Sequence, residues 1–162
     1  MMGISWKRVW LLAILACAMM AGPVRAAAPL PMADDLARIA VEASERRVPV
    51  LLAFMQRTCP YCARARRHLE PLQASAAWSN QAIMLEIDVD STERLRDFEG
   101  KLTTAQDFAR RQGVRMVPTI IVFDQHGRVA ADPVIGIASD DFYTYYVEEA
   151  LKAAAAKVKR GS

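Results

Sequence analysis

The chain has 162 residues, 53% of them hydrophobic, which suits one domain with a modest core and leaves little room for a second. Its formal net charge of +3 comes from the N-terminus: Lys7, Arg8 and Arg25 precede Ala27, and beyond that point the basic side chains equal the 18 acidic ones in number. The basic isoelectric point therefore carries no message about nucleic acid. No basic face interleaved with aromatics stands out either, so a nucleic-acid partner is not expected.

Residues 1–8 end in Lys7 and Arg8, residues 9–22 are almost wholly apolar, and Pro23-Val24-Arg25-Ala26 follows. That order is the charged, apolar and small-residue sequence of a secretory signal peptide, with a cut expected between Ala26 and Ala27. An uncleaved anchor ranks second, because the apolar run is shorter than the ~20 residues a spanning helix needs. A lipoprotein signal at Cys17 ranks third: Ile14-Leu15-Ala16-Cys17 fits a lipobox loosely, and the run stays apolar past the cysteine. The expected organisation is a signal peptide over 1–26 and one domain over 27–162, located in the periplasm.

Asp34 or Asp35 can cap a helix to about Arg46, with Leu36, Ile39, Ala40 and Ala43 as its apolar stripe. Residues 48–55 form a continuous apolar run, as expected of a strand buried on both faces. Gln56-Arg57-Thr58 breaks the run, Cys59-Pro60-Tyr61-Cys62 follows, and residues 63–72 read as helix, kinked or ended by Pro71. Residues 82–89 are a second buried strand. The spacing predicts helices over 92–98 and 103–112, separated by a turn at Gly100. A third strand over 117–124 is turned by Gln125-His126-Gly127 into a partner at 128–130, with Gly136 closing the hairpin. Ser139 or Asp140 caps a last helix through Leu151, and the Ala/Lys-rich tail extends it or frays. Such an alternation gives an α/β sandwich around a central mixed sheet.

Cysteine usage carries the chemistry. Of three cysteines, Cys17 lies in the leader, and the other two sit three residues apart. A disulfide stabilises largely by restricting the unfolded chain, so closing so short a loop contributes little. The pair is therefore read as one that cycles in an oxidising compartment. Placed at a helix N-terminus, Cys59 faces unpaired backbone N–H groups and the positive end of the helix dipole, which favour its thiolate. Pro60 suits the first helical turn. Cys59 is then the exposed nucleophile, and Cys62, one turn in, is the resolving thiol. Arg57, Arg64, Arg66 and Arg67 crowd the motif; Arg66 and Arg67 are read as a solvated helix face.

Metal binding is the competing chemistry. A structural zinc site needs about four ligands, and beyond the leader only Cys59, Cys62, His68 and His126 are available. No metal is expected, although a two-cysteine copper chaperone stays open on spacing alone.

The Cys-Pro-Tyr-Cys motif after a buried strand, Val117-Pro118-Thr119 opening a later strand, and Gly136 before the last helix resemble the thioredoxin superfamily. The segments 97–101 and 108–114 make the chain most similar to exported thioredoxin-like proteins of the SoxW type. The resemblance implies a thioredoxin-like three-layer α/β/α sandwich, a redox-active Cys59–Cys62 disulfide and no cofactor. It also implies a cis Pro118 against the cysteine pair, with Pro60, Tyr61, Val117 and Pro118 binding the substrate. The implied activity is dithiol reduction of envelope protein disulfides, with a membrane electron donor of the DsbD or CcdA kind and clients such as sulfur-oxidation or cytochrome c maturation proteins. The same residues could serve a DsbA-like oxidase, although the helical domain that such oxidases insert has no room in 90–115. Two family features are missing: the buried acid six residues before the first cysteine is Ala53 here, and the preceding tryptophan is Thr58. Glu86 or water would then take the resolving proton, while a strand-end glutamate is ordinarily just solvated. Gly136-Ile137 with Asp140-Asp141 matches only part of the glutaredoxin glutathione element.

Overall fold

The two longest apolar runs beyond the leader region become the centre of the structure. A computed structural model describes residues 27–161; residues 1–26, where the leader is expected, and Ser162 lie outside the described residues. Strand β1 (Val50–Met55) pairs in parallel with β2 (Ile83–Asp88), and every residue of both is buried. On its other side β1 pairs antiparallel with β5 (Thr119–Phe123), which pairs antiparallel with the short edge strand β6 (Val134–Ile135). The order β2-β1-β5-β6 is a mixed sheet, as the element pattern predicts.

Helices cover both faces because β1 is apolar at every position. Leu51, Ala53 and Met55 pack with Cys62, Leu69 and Leu72 of α2 (Pro60–Ala74) and Tyr143, Val147 and Leu151 of α4 (Asp140–Arg160). Val50, Leu52 and Phe54 pack with Leu36, Ile39 and Ala43 of α1 (Leu36–Arg46) and Phe108 and Ala109 of α3 (Ala105–Arg111). This division by the strand period of two produces the three layers. Asp35 caps α1 by accepting a hydrogen bond from the Arg38 N–H at 2.9 Å. Among the described residues, no helix is long and apolar enough to cross a membrane.

Two expectations change, and two open alternatives are decided. The helix expected over 92–98 is instead β3 (Arg94–Arg96), which forms a two-stranded ribbon with β4 (Leu102–Thr104). Leu95 and Phe98 have helical spacing, but only Leu95 of β3 is buried, between two exposed arginines. That is strand alternation. The hairpin partner of β5 is Val134–Ile135, whereas Val129 makes only an isolated bridge to Phe123. Pro71 does not end α2, which runs on to Ala74 with Leu69 and Leu72 packed into the core on either side. Finally, α4 continues through the tail to Arg160, because Ala154 and Val158 extend its buried stripe.

Candidate active site

The site forms where β1 gives way to α2. Cys59 has extended backbone (φ −84°, ψ 117°) and caps α2 with its own side chain: its Sγ accepts from the Cys62 N–H at 3.2 Å. Pro60 occupies the first turn, where its missing N–H has no intrahelical partner to lose. Cys62 is fully buried, and its Sγ lies 3.5 Å from the Gln56 N–H, which donates to it. Both thiols are free.

This geometry separates the two thiols. Desolvation works against ionisation of Cys59, but the hydrogen bonds from the Cys62 thiol and from the Cys62 and Tyr61 N–H groups, with the charge of Arg66, outweigh it and hold the thiol below its ordinary value. Burial pushes the Cys62 thiol up to about 12, helped by the hydrogen bond it gives Cys59. Cys59 is thus equipped to attack as thiolate, and Cys62 to keep its proton until later.

The Val117-Pro118 peptide is cis, as the family resemblance implies. Pro118 immediately precedes Thr119, which pairs with Phe54 near the end of β1 that leads to Cys59. Thr119 Oγ1 donates to the Met116 carbonyl at 2.8 Å, and the Gly136 N–H donates to the Pro118 carbonyl at 2.7 Å, fixing this loop from both sides. Val117 and Cys59 are both half-buried against the cluster that contains Cys62. Tyr61 projects outward, 56% exposed, with the Arg64 guanidinium 5.6 Å from its ring centre. The structure therefore gathers Cys59, Pro60, Tyr61, Cys62, Val117 and Pro118 at one end of the sheet.

The arginines divide their attention. Arg57 donates through Nε and Nη2 to Asp88 at 3.1 and 2.9 Å, and Arg64 pairs with Asp140 at 2.9 Å. Arg66 is no solvated side chain: it makes a two-pronged contact with Glu86 at 2.9 and 2.6 Å. Glu86 is likewise not a solvated strand end, being 8% exposed beneath α2. The sequence holds one signal for this pair, an acid between Leu85 and Ile87 inside a buried strand, since a buried carboxylate demands a partner. His68 Nδ1 lies 3.2 Å from Thr144 Oγ1 and Nε2 3.4 Å from Asp140, so this histidine ties α2 to α4. The Tyr143 hydroxyl, also unforeseen, is buried with no hydrogen-bond partner among the described residues, and desolvation and the nearby Cys62 raise its pKa.

Residues 36–152 match the model of a thioredoxin-like domain. The chain belongs to the thioredoxin-like domain family. Solved structures with the same fold include spinach chloroplast thioredoxin f (20% identity, TM-score 0.53, covering 81% of this chain and 98% of that one). A thioredoxin variant from Halobacterium salinarum is 23% identical, with TM-score 0.52 over 80% of this chain and 96% of the other. Mitochondrial thioredoxin 3 from Saccharomyces cerevisiae is 18% identical, with TM-score 0.51 over 76% and 93%. No curated protein matches the sequence. Thioredoxin-like family membership together with the paired cysteines at the α2 N-terminus makes the chain a thiol–disulfide oxidoreductase.

Proposed function

We propose that this thioredoxin-like protein is an exported dithiol reductase of the SoxW type, acting on disulfides of envelope proteins. The observation that carries the reading is the division of labour at the start of α2, a half-buried Cys59 held toward its thiolate and a fully buried Cys62 held protonated. The Cys59 thiolate attacks one sulfur of a client disulfide, forming a Cys59–client bond and releasing the other client sulfur as thiolate. Cys62 then loses its proton and attacks Cys59 Sγ. The mixed disulfide breaks, the second client sulfur leaves, and two electrons have passed from the protein dithiol to the client. Val117 and Pro118 would align the client strand beside the sulfurs, with Pro60 and Tyr61 at its edge.

The periplasmic location is supported by the leader pattern of Lys7 and Arg8, an apolar run and Val24-Arg25-Ala26. A membrane electron donor of the DsbD or CcdA kind would restore the dithiol. Stabilising the Cys59 thiolate favours the reduced form and so works toward an oxidant; proteins of this chemistry span roughly −270 to −120 mV. Equilibrating residues 27–162 with glutathione couples while assaying insulin reduction decides between them. A potential near the low end with turnover by the wild type and none by Cys59→Ser supports the reductase. A potential near the high end supports the oxidase, and full turnover by Cys59→Ser removes the nucleophile assignment.

A further inference from the structure

Two acids interrupt the apolar face of the sheet beneath α2. Met84 packs with Leu51, Ala53, Met55 and Cys62, which fixes that face, and the strand period of two places Glu86 and Asp88 on it as well. The parallel register sets Glu86 beside Ala53 and Asp88 beside Met55. Each carboxylate is met by one arginine, Glu86 by Arg66 and Asp88 by Arg57. Their surroundings differ. Arg57 is 82% exposed on its side chain, whereas the Arg66 side chain is 24% exposed and lies four residues beyond Cys62, on the same side of the helix.

Replacing an ion pair in such a place with apolar residues of similar volume is often neutral or stabilising, so fold stability alone is a weak reason to keep this one. Its position gives a better one. We infer that Glu86 positions the Arg66 guanidinium beside the cysteine pair, where its charge stabilises the Cys59 thiolate and, during resolution, the Cys62 thiolate, in place of a proton-accepting acid at position 53. Arg66 acts in the thiolate-stabilising direction on both sulfurs, consistent with this placement. Glu86 also tempers that charge, so the pair sets how strongly the thiolates are favoured. In the resolving step the Cys62 proton passes to solvent, Cys62 Sγ bonds to Cys59 Sγ, and the client sulfur departs as thiolate. Arg66 takes up no proton in this sequence.

Among the described residues, several other charged or titratable groups lie around the thiols. Cys59 and Cys62 act on each other, Tyr143 faces Cys62 from α4, and Glu70 of α2 acts on Arg66. The Arg57–Asp88 and Arg64–Asp140 pairs flank the motif, with His68 also against Asp140 and its ring against Tyr143.

The inference rests on the Cys59–Cys62 relay proposed above, and the test separates the two. Insulin turnover by the wild-type protein tests the relay. Arg66 is tested by the Cys59 titration, followed by thiolate absorbance, and by the glutathione equilibrium of Arg66→Met, Arg66→Lys and Glu86→Gln. Arg66→Met should move the Cys59 midpoint up, with a loss of thiolate at a pH below that midpoint. Resolution should slow by less than the Cys62 thiolate population falls, because a thiolate of higher pKa is the better nucleophile. Arg66→Lys keeps the charge and should recover most of the shift. Glu86→Gln retains an acceptor oxygen for Arg66 while removing the compensating charge, so its midpoint should move down and its equilibrium toward the dithiol. An unmoved or lowered midpoint in Arg66→Met overturns the inference. If Arg66→Met does not fold, a midpoint in Glu86→Gln that stays or rises does the same.

Discussion

The separation of the two thiols predicts a large difference in their alkylation. Cys59 lies below the ordinary value of 9.0 and Cys62 at about 12, a gap of at least about three units. At neutral pH that gap corresponds to about a thousandfold difference in thiolate fraction. The more basic thiolate is intrinsically the better nucleophile, and a Brønsted slope of about 0.45 takes back roughly twentyfold. The net preference for Cys59 is then about fiftyfold, before the complete burial of Cys62 adds to it. The reduced protein would be treated briefly with limiting iodoacetamide at pH 7. Both cysteines fall in the tryptic peptide 58–64, so tandem mass spectrometry is needed to localise the label. Label almost wholly on Cys59 is expected. Equal labelling, or preference for Cys62, would refute the division of roles.

Further predictions concern stability. In the dithiol form, the lowered Cys59 value makes the unfolded chain bind more protons as pH climbs toward 9, so stability rises there; the raised Cys62 value reverses the sign between 9 and about 12. Denaturant titrations across pH should therefore show the reduced protein gaining and then losing stability relative to the disulfide form, with a maximum near pH 9; a monotonic difference contradicts the assignments. Gly127 has φ +73°, and a Cβ there would lie 2.6 Å from the Phe98 side chain. Phe98 is wedged against Phe123 and Phe108, at ring distances of 5.1 and 6.3 Å, so Gly127→Ala should cost about 2–4 kcal/mol. Thermal unfolding should show a midpoint lowered by about 10 °C, and an unchanged midpoint would mean the loop yields freely. Phe108→Ala, at a fully buried ring stacked on Phe54, should cost about 3–5 kcal/mol in denaturant unfolding; a loss below 1 kcal/mol would show that the core closes over the gap.

The parts of this protein legible in the sequence are those encoded locally. Residues 50–55 are apolar at every position and 83–88 at four of six, and burial on both faces of a central sheet follows from those runs. Cys59 and Cys62 carry their own geometry, because three residues is one helical turn and a preceding strand fixes which end of the helix they occupy. Arg94-Leu95-Arg96 failed as a helix since three residues satisfy either period, and its pairing with Leu102–Thr104 depends on a turn with Gly100 at φ +80°. Val134–Ile135 is too short to announce itself; it is a strand because β5 offers an edge. The Arg66–Glu86 pair spans 20 positions and two elements, so nothing local to Arg66 distinguishes it from Arg67. Only the fold brings the acid under the helix.

The central claim, that Cys59 attacks and Cys62 resolves, meets its most direct test in a trapping measurement. Cys62→Ser removes the resolving thiol while leaving Cys59 at the helix N-terminus. Incubated in reduced form with insulin, it should accumulate a mixed disulfide joining Cys59 to an insulin chain, identified by mass spectrometry and cleared by dithiothreitol. Cys59→Ser under the same conditions should accumulate almost none. Trapping through Cys62 in Cys59→Ser, at a rate matching that of Cys59 in Cys62→Ser, would contradict the account.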